Sequence, residues 1–166
     1  MSRLFIALWP PDDVLDQLEA LPRVERAGVR WTTREQWHVT LRFLGGAELD
    51  AAARALSTLR HPPVEAALSG RIGRLGRSVL MVPVTGLDSL AAAVLDATAE
   101  VVAVVDGRGS RFLGHLTLAR LKGAPACGLI GAELDARWQA NEVSLVDSVH
   151  GSGPASYRTL ATVPLG

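Results

Sequence analysis

The sequence predicts a mixed α and β domain, α+β or α/β, built as two related lobes. Three observations carry this reading. Short apolar runs of strand character alternate with segments of helical spacing along the whole chain. The pattern His-x-Thr-x-Leu is written twice, at His38 and at His115, 77 residues apart (115 − 38). A repeat about half a chain apart suggests internal duplication. Finally, 166 residues of 48% hydrophobic content suit one compact domain spanning 1–166, with a sizeable core.

The elements follow in order. Arg3 to Trp9 is a short apolar run, read as a strand buried on both faces. Pro10 to Asp13 stops it and supplies Asp at a helix start; Val14, Leu15, Leu18 and Leu21 then share one helical face, and Pro22 ends the helix. From Trp37 to Phe43 the chain alternates. By strict parity Trp37, Val39, Leu41 and Phe43 point to the core, and His38, Thr40 and Arg42 point the other way. Gly45 and Gly46 end that strand. Leu49, Ala52, Leu56 and Leu59 give a second helix, broken by His61 to Pro63. Val64 to Gly70 and Ser78 to Val84 read as two strands around a glycine- and arginine-rich turn. The apolar positions from Leu87 to Val105 recur at three and four, which predicts a long helix. Asp106 to Gly114 is a loop, and His115 to Leu121 a strand. Leu129 to Gln139 reads as helical. Asn141 to Val149 and Tyr157 to Val163 are closing strands around a Gly- and Ser-rich turn.

Composition narrows the function. The formal net charge is zero, which argues against a protein that coats long nucleic acid but allows one that reads a single phosphate or an RNA end. Sixteen of the seventeen basic residues are Arg, Lys122 being the exception. The Arg fork matches phosphate oxygens. Cys127 stands alone, so no internal disulfide forms, which fits a reducing cytoplasm. The N-terminal apolar run is too short for a signal peptide, and Asp96 and Glu100 interrupt the longest apolar region. A soluble cytoplasmic protein is expected.

The chemistry lies in the repeat. In a strand, His at i and Thr at i+2 share a face, so each copy presents an imidazole beside a hydroxyl. One such pair means little. Two copies with matching Leu, on two strands, point to a shared cavity. Two imidazoles suit paired proton transfer, one ring neutral and the other charged near neutral pH. Thr40, Thr117 and a nearby Arg suit phosphoryl oxygens. The set fits in-line displacement at a phosphodiester without a metal or cofactor. His61 and His150 lack the repeated context and read as surface residues. No zinc-protease, Cys-pair or P-loop pattern is present.

These residues resemble the two-histidine (2H) phosphoesterases, and most closely their RNA 2′,3′-cyclic phosphodiesterase (2′-5′ RNA ligase-like) branch. The resemblance rests on RLFIALWPPDDV, WTTREQWHVTLRFLG, HLTLARLK and the closing VSLVDSVHGSGPASYRTLATVPL, which includes Ser148 and Tyr157. It implies a bilobal α+β fold, an antiparallel sheet in each lobe with flanking helices, and the motifs facing across a central cleft. It implies hydrolysis of a 2′,3′-cyclic phosphate at an RNA 3′ end to a 2′-phosphate. By that analogy His38 is the proton donor and His115 the proton acceptor, although the sequence does not order the two roles. Thr40, Thr117, Arg120 and Arg42 would bind phosphate. Arg120 lies five residues after His115, so strict alternation turns it away; a bulge is needed to re-aim it. Phe43 falls on the core face. Arg74, Arg77, Arg108 and Arg111 lie in loops and read as solvated surface. The expected partner is an RNA or oligoribonucleotide 3′ end, with no membrane, and the expected state a monomer. The alternatives are a sister activity, such as 2′-5′ linkage cleavage or joining or small cyclic nucleotide hydrolysis, and a non-catalytic RNA-end binding module.

Overall fold

A computed structural model describes residues 3–102 and 111–166. They form ten strands, three helices and one 3₁₀ turn. The strands are β1 (Arg3–Leu8), β2 (Val29–Trp31), β3 (Val39–Gly45), β4 (Val64–Arg71), β5 (Gly73–Leu75), β6 (Val79–Thr85), β7 (His115–Leu121), β8 (Glu133–Ala140), β9 (Glu142–Val149) and β10 (Ser156–Pro164). The helices are α1 (Asp12–Glu19), α2 (Leu49–Ser57) and α3 (Asp88–Ala97). The fold is α+β, and every strand pairing among the described residues is antiparallel.

The strand order is β10-β9-β1-β3-β7-β6-β4-β8, with β2 added beside β7 and β5 beside β6. This path has two halves, β10-β9-β1-β3 and β8-β4-β6-β7. They meet at the pair Val39↔Leu116, joining the two motif strands. Each motif strand follows a strand–helix unit: β1-α1-β3 in one half, β6-α3-β7 in the other. The helices cross over. α3 packs on β3, and α1 packs against β8.

Each helix is explained by its apolar stripe. Val14 and Leu18 of α1, Ala52 and Leu56 of α2, and Leu90, Ala91 and Val94 of α3 are buried in one core with Val39, Leu41, Leu116 and Leu118. α2 starts at Glu48, whose carboxylate accepts from the Asp50 and Ala51 amides at 2.9 and 2.8 Å. The strand Arg3–Leu8 is buried from Leu4 onward on both faces, as its composition predicts. Its second face meets a smaller cluster of Phe5, Ala7 and Val146, flanked by Trp9 and Tyr157.

Three expectations change. Glu133–Ala140 is a strand, not a helix: Leu134, Ala136, Trp138 and Ala140 turn inward, the intervening charged and polar residues turn outward, and the segment pairs with β4 along its whole length. The long helix closes at Ala97. There the β-branched Thr98 turns its hydroxyl back to the Val94 carbonyl at 2.7 Å. Val101 and Val102 still pack on the core beyond it, and Val105 lies outside the described residues. Short strands also form at Gly73–Leu75, within a segment read as a turn, and at Val29–Trp31, where the sequence predicts no element.

Candidate active site

The register at Val39↔Leu116 builds the site. Both residues are fully buried on the helix side, so their neighbours point to the opposite face. Continuing the antiparallel count sets His38 opposite Thr117 and Thr40 opposite His115. Two imidazoles and two hydroxyls therefore occupy one face, related by a local two-fold about that pair.

Hydrogen bonds fix the ring tautomers. His38 Nδ1 lies 2.6 Å from the Gln36 carbonyl, and His115 Nδ1 lies 2.9 Å from the Leu113 carbonyl. A carbonyl only accepts, so both Nδ1 atoms carry hydrogen and both Nε2 atoms face outward. In neutral His38 the bare Nε2 accepts from the Thr40 hydroxyl at 3.0 Å. Gln36 is itself anchored. It closes a capping box with Thr33 and donates to the Ala155 carbonyl at 2.7 Å. Gly114 holds the other ring in place: a Cβ there would run into the Val84 carbonyl oxygen, and Val84 N donates to Gly114 O at 2.9 Å.

The surroundings of the two rings differ. His38 is enclosed by Phe5, Trp9 and Tyr157, with ring centroids 5.0, 5.6 and 5.0 Å away. Burial pushes its pKa down to about 4, against the hydrogen bond to Gln36; the charges of Arg120 and His115 lower it further. His115 is only half-buried, and its Nδ1 bonds the Leu113 carbonyl.

A matched pair of β-bulges decides which residues join the site. On β3, Ile6 pairs with Arg42 and Ala7 with Thr40, so Leu41 is extra; on β7, Leu80 pairs with Ala119 and Met81 with Thr117, so Leu118 is extra. Each bulge puts two successive side chains on the core side and resets the alternation. Arg120 therefore lands on the His115 face, where it is exposed and acts on His38. Its counterpart is Phe43, which is 73% exposed, with its ring 6.2 Å from Phe5. The core placement of Phe43 by parity is thus overturned. So is the placement of Arg42 at the phosphate. Its guanidinium turns to α3 and donates to the Leu95 carbonyl at 2.8 Å and Thr98 Oγ1 at 2.7 Å.

Thr32 supports the β7 bulge. Its hydroxyl lies 2.9 and 2.8 Å from the Thr117 and Leu118 carbonyls, its amide donates to Leu118 O at 2.9 Å, and it accepts from Trp37 Nε1 at 2.9 Å. Sequence reasoning missed Thr32 because its role is set by a neighbour 85 residues away. The aromatic wall of His38 left one signal, the Tyr157 position of the closing segment. Of the loop arginines, Arg74 is half-buried, Arg77 and Arg111 are exposed, and Arg108 lies outside the described residues. His150 is exposed beside Ser148 Oγ at 3.1 Å, and half-buried His61 bonds the Pro62 carbonyl. Among the described residues no helix is long and apolar enough to cross a membrane.

The model of the LigT like phosphoesterase family matches residues 8–71, which include the first motif. Among solved structures, TT0787 of Thermus thermophilus is 26% identical, with TM-score 0.80 over 98% of this chain and 97% of that one. A structure described as a phosphoesterase is 23% identical, with TM-score 0.80 and 99% of each chain covered. E. coli LigT complexed with ATP is 23% identical, with TM-score 0.76 over 99% and 98%. No curated protein sequence matches the chain.

Proposed function

We propose that this chain, whose N-terminal sequence pattern and whole fold are those of the two-histidine phosphoesterases, hydrolyses 2′,3′-cyclic phosphate at RNA 3′ ends to a 2′-phosphate. The observation that supports this most is the face shared by His38, Thr40, His115 and Thr117 around the Val39↔Leu116 pair. The phosphoryl group sits between the two imidazoles, its oxygens taken by Thr40, Thr117 and Arg120. His115 Nε2 accepts the proton of a water that attacks phosphorus. His38 Nε2 donates to the 3′ oxygen as its bond to phosphorus breaks.

A ring with a pKa near 4 must regain a proton to donate. The substrate supplies the means. One negative charge about 4 Å away, at an effective dielectric of about 20, is worth about 4 kcal/mol, or about three pKa units. That returns His38 to near neutrality, the range in which general acids work best. E. coli LigT has been solved with ATP and with 3′-AMP, which supports a nucleotide in the cleft.

The test uses an oligoribonucleotide ending in 2′,3′-cyclic phosphate, incubated with the protein and a chelator. A 2′-phosphate product that disappears in His38→Ala and His115→Ala is expected. No turnover, or turnover indifferent to both substitutions, defeats the reading.

A further inference from the structure

On the edge of β7 that β3 also joins, β2 pairs Val29 with Leu121, Arg30 with Arg120 and Trp31 with Ala119. Val29 and Trp31 pack on the main core, as do Ala119 and Leu121. Arg30 and Arg120 therefore both point to the opposite face, the one that carries His115 and Thr117. Directly paired residues in an antiparallel ladder have Cβ atoms about 5 Å apart, and like charges there are destabilising. Among the described residues neither arginine has a carboxylate within ion-pair distance to relieve the pair. Glu25, the acidic residue of the open depression beside Arg30, forms no bridge to it. The strand is nonetheless firmly placed. Thr32 bonds the β7 bulge, Lys122 N donates to Gly28 O at 2.8 Å, and Gly28, with φ +83°, leaves no room for a Cβ against the Lys122 carbonyl.

We infer that Arg30, beside Arg120, holds a second phosphate of the substrate, beyond the reacting one that Arg120 takes. Arg120, whose charge reaches His38, lies next to the reacting phosphate. Arg30 stands beside it on β2, on the edge of β7 that β3 also joins, and presents a second planar fork to an oxyanion. This deepens the proposed function and rests on it: the substrate class becomes a nucleotide 2′,3′-cyclic phosphate carrying another phosphate. That group is either the phosphodiester to the preceding nucleotide or a terminal 5′-phosphate.

The test compares three substrates at fixed ionic strength: a nucleoside 2′,3′-cyclic phosphate, its 5′-phosphorylated form, and a dinucleotide ending in the cyclic phosphate. The wild type should favour one or both doubly phosphorylated substrates by tenfold or more in kcat/KM. Arg30→Ala should remove most of that preference, mainly through KM, and Arg30→Lys should keep part of it. A gain confined to the dinucleotide identifies the internucleotide phosphate. An equal gain with the 5′-phosphorylated form identifies any second phosphate. A loss of the same factor on all three substrates, or no loss on any, overturns the inference. Should the wild type turn over none of them, the hydrolysis reading fails, and binding decides the clamp by itself. Calorimetric titration with a nucleoside 3′-phosphate and a nucleoside 3′,5′-bisphosphate, on wild type and Arg30→Ala of matched melting temperature, should show the bisphosphate alone weakened. Equal weakening of both, or none, rejects it.

Discussion

The two motif strands are built alike and surrounded differently. β3 and β7 share the His and Thr positions, a bulge at the following Leu, and a Leu that returns to the core. Around that frame they diverge. His38 sits among three aromatic rings while His115 stays half open; Phe43 occupies the place of Arg120; Arg42 occupies the place of Ala119. The halves thus agree at the two His–Thr pairs and differ around them, in the burial of the ring and in an aromatic set against a cation at the position after the bulge.

The largest effect should come from breaking the shared part. His38→Ala or His115→Ala should each lower kcat on a cyclic phosphate substrate by about 10²–10⁴-fold, or roughly 3–5 kcal/mol of barrier. The double variant should be little worse than either single one, because one ring without the other completes no transfer. Single-turnover kinetics would show it; independent, multiplicative losses would contradict a paired device.

The next effect isolates the different burial of the two rings. An unfolded His titrates near 6.5 and folded His38 near 4, so between these values the unfolded chain binds more protons. Stability contributed by neutral His38 is present above pH 6.5 and is lost as pH falls through about 4. Denaturant melts should show a fall of about 3 kcal/mol from this ring over that window. His38→Asn should reduce the fall and His115→Asn should leave most of it. A pH slope equal in wild type and His38→Asn would show that burial does not set this ring.

Thr32→Ala sharpens the contrast from below, at the bulge. It strands the Trp37 indole N–H and removes the hydroxyl from β7, at a cost of about 1–3 kcal/mol in stability. Because Arg120 is aimed by that bulge, KM should rise more than kcat falls. Unaltered KM would detach Arg120 from Thr32. The smallest effect belongs to Arg42→Ala. Loss of its bonds to the end of α3 should cost about 1 kcal/mol in thermal stability, with kcat/KM within a few-fold of wild type. A large drop in kcat/KM would return Arg42 to the phosphate.

The sequence made the motif strands and their faces legible as far as Thr40 and Thr117, because period two holds up to those positions. It then failed in both copies at the same place. A bulge shifts parity by one without changing composition: Leu118–Ala119 leaves a faint trace as two adjacent apolar residues, whereas Leu41–Arg42 leaves none. Arg120 needed the family resemblance, and Phe43 and Arg42 were misplaced. β8 was hidden because two of its inward positions, Ala136 and Ala140, are small and carry little strand signal. β2, three residues long, is too short to show a period; its meaning lies in partners about ninety residues on.

The crossing of the helices ties the two halves of the sheet together. α3 lies on the strand of the first motif and α1 against the outer strand of the second half, while α2 packs on β9 and β10 of the first. The C-terminal strands β9 and β10 close the half that begins the chain, and β4 lies in the half that ends it, so neither half of the sheet keeps its strands or its full cover if the chain is cut at its middle.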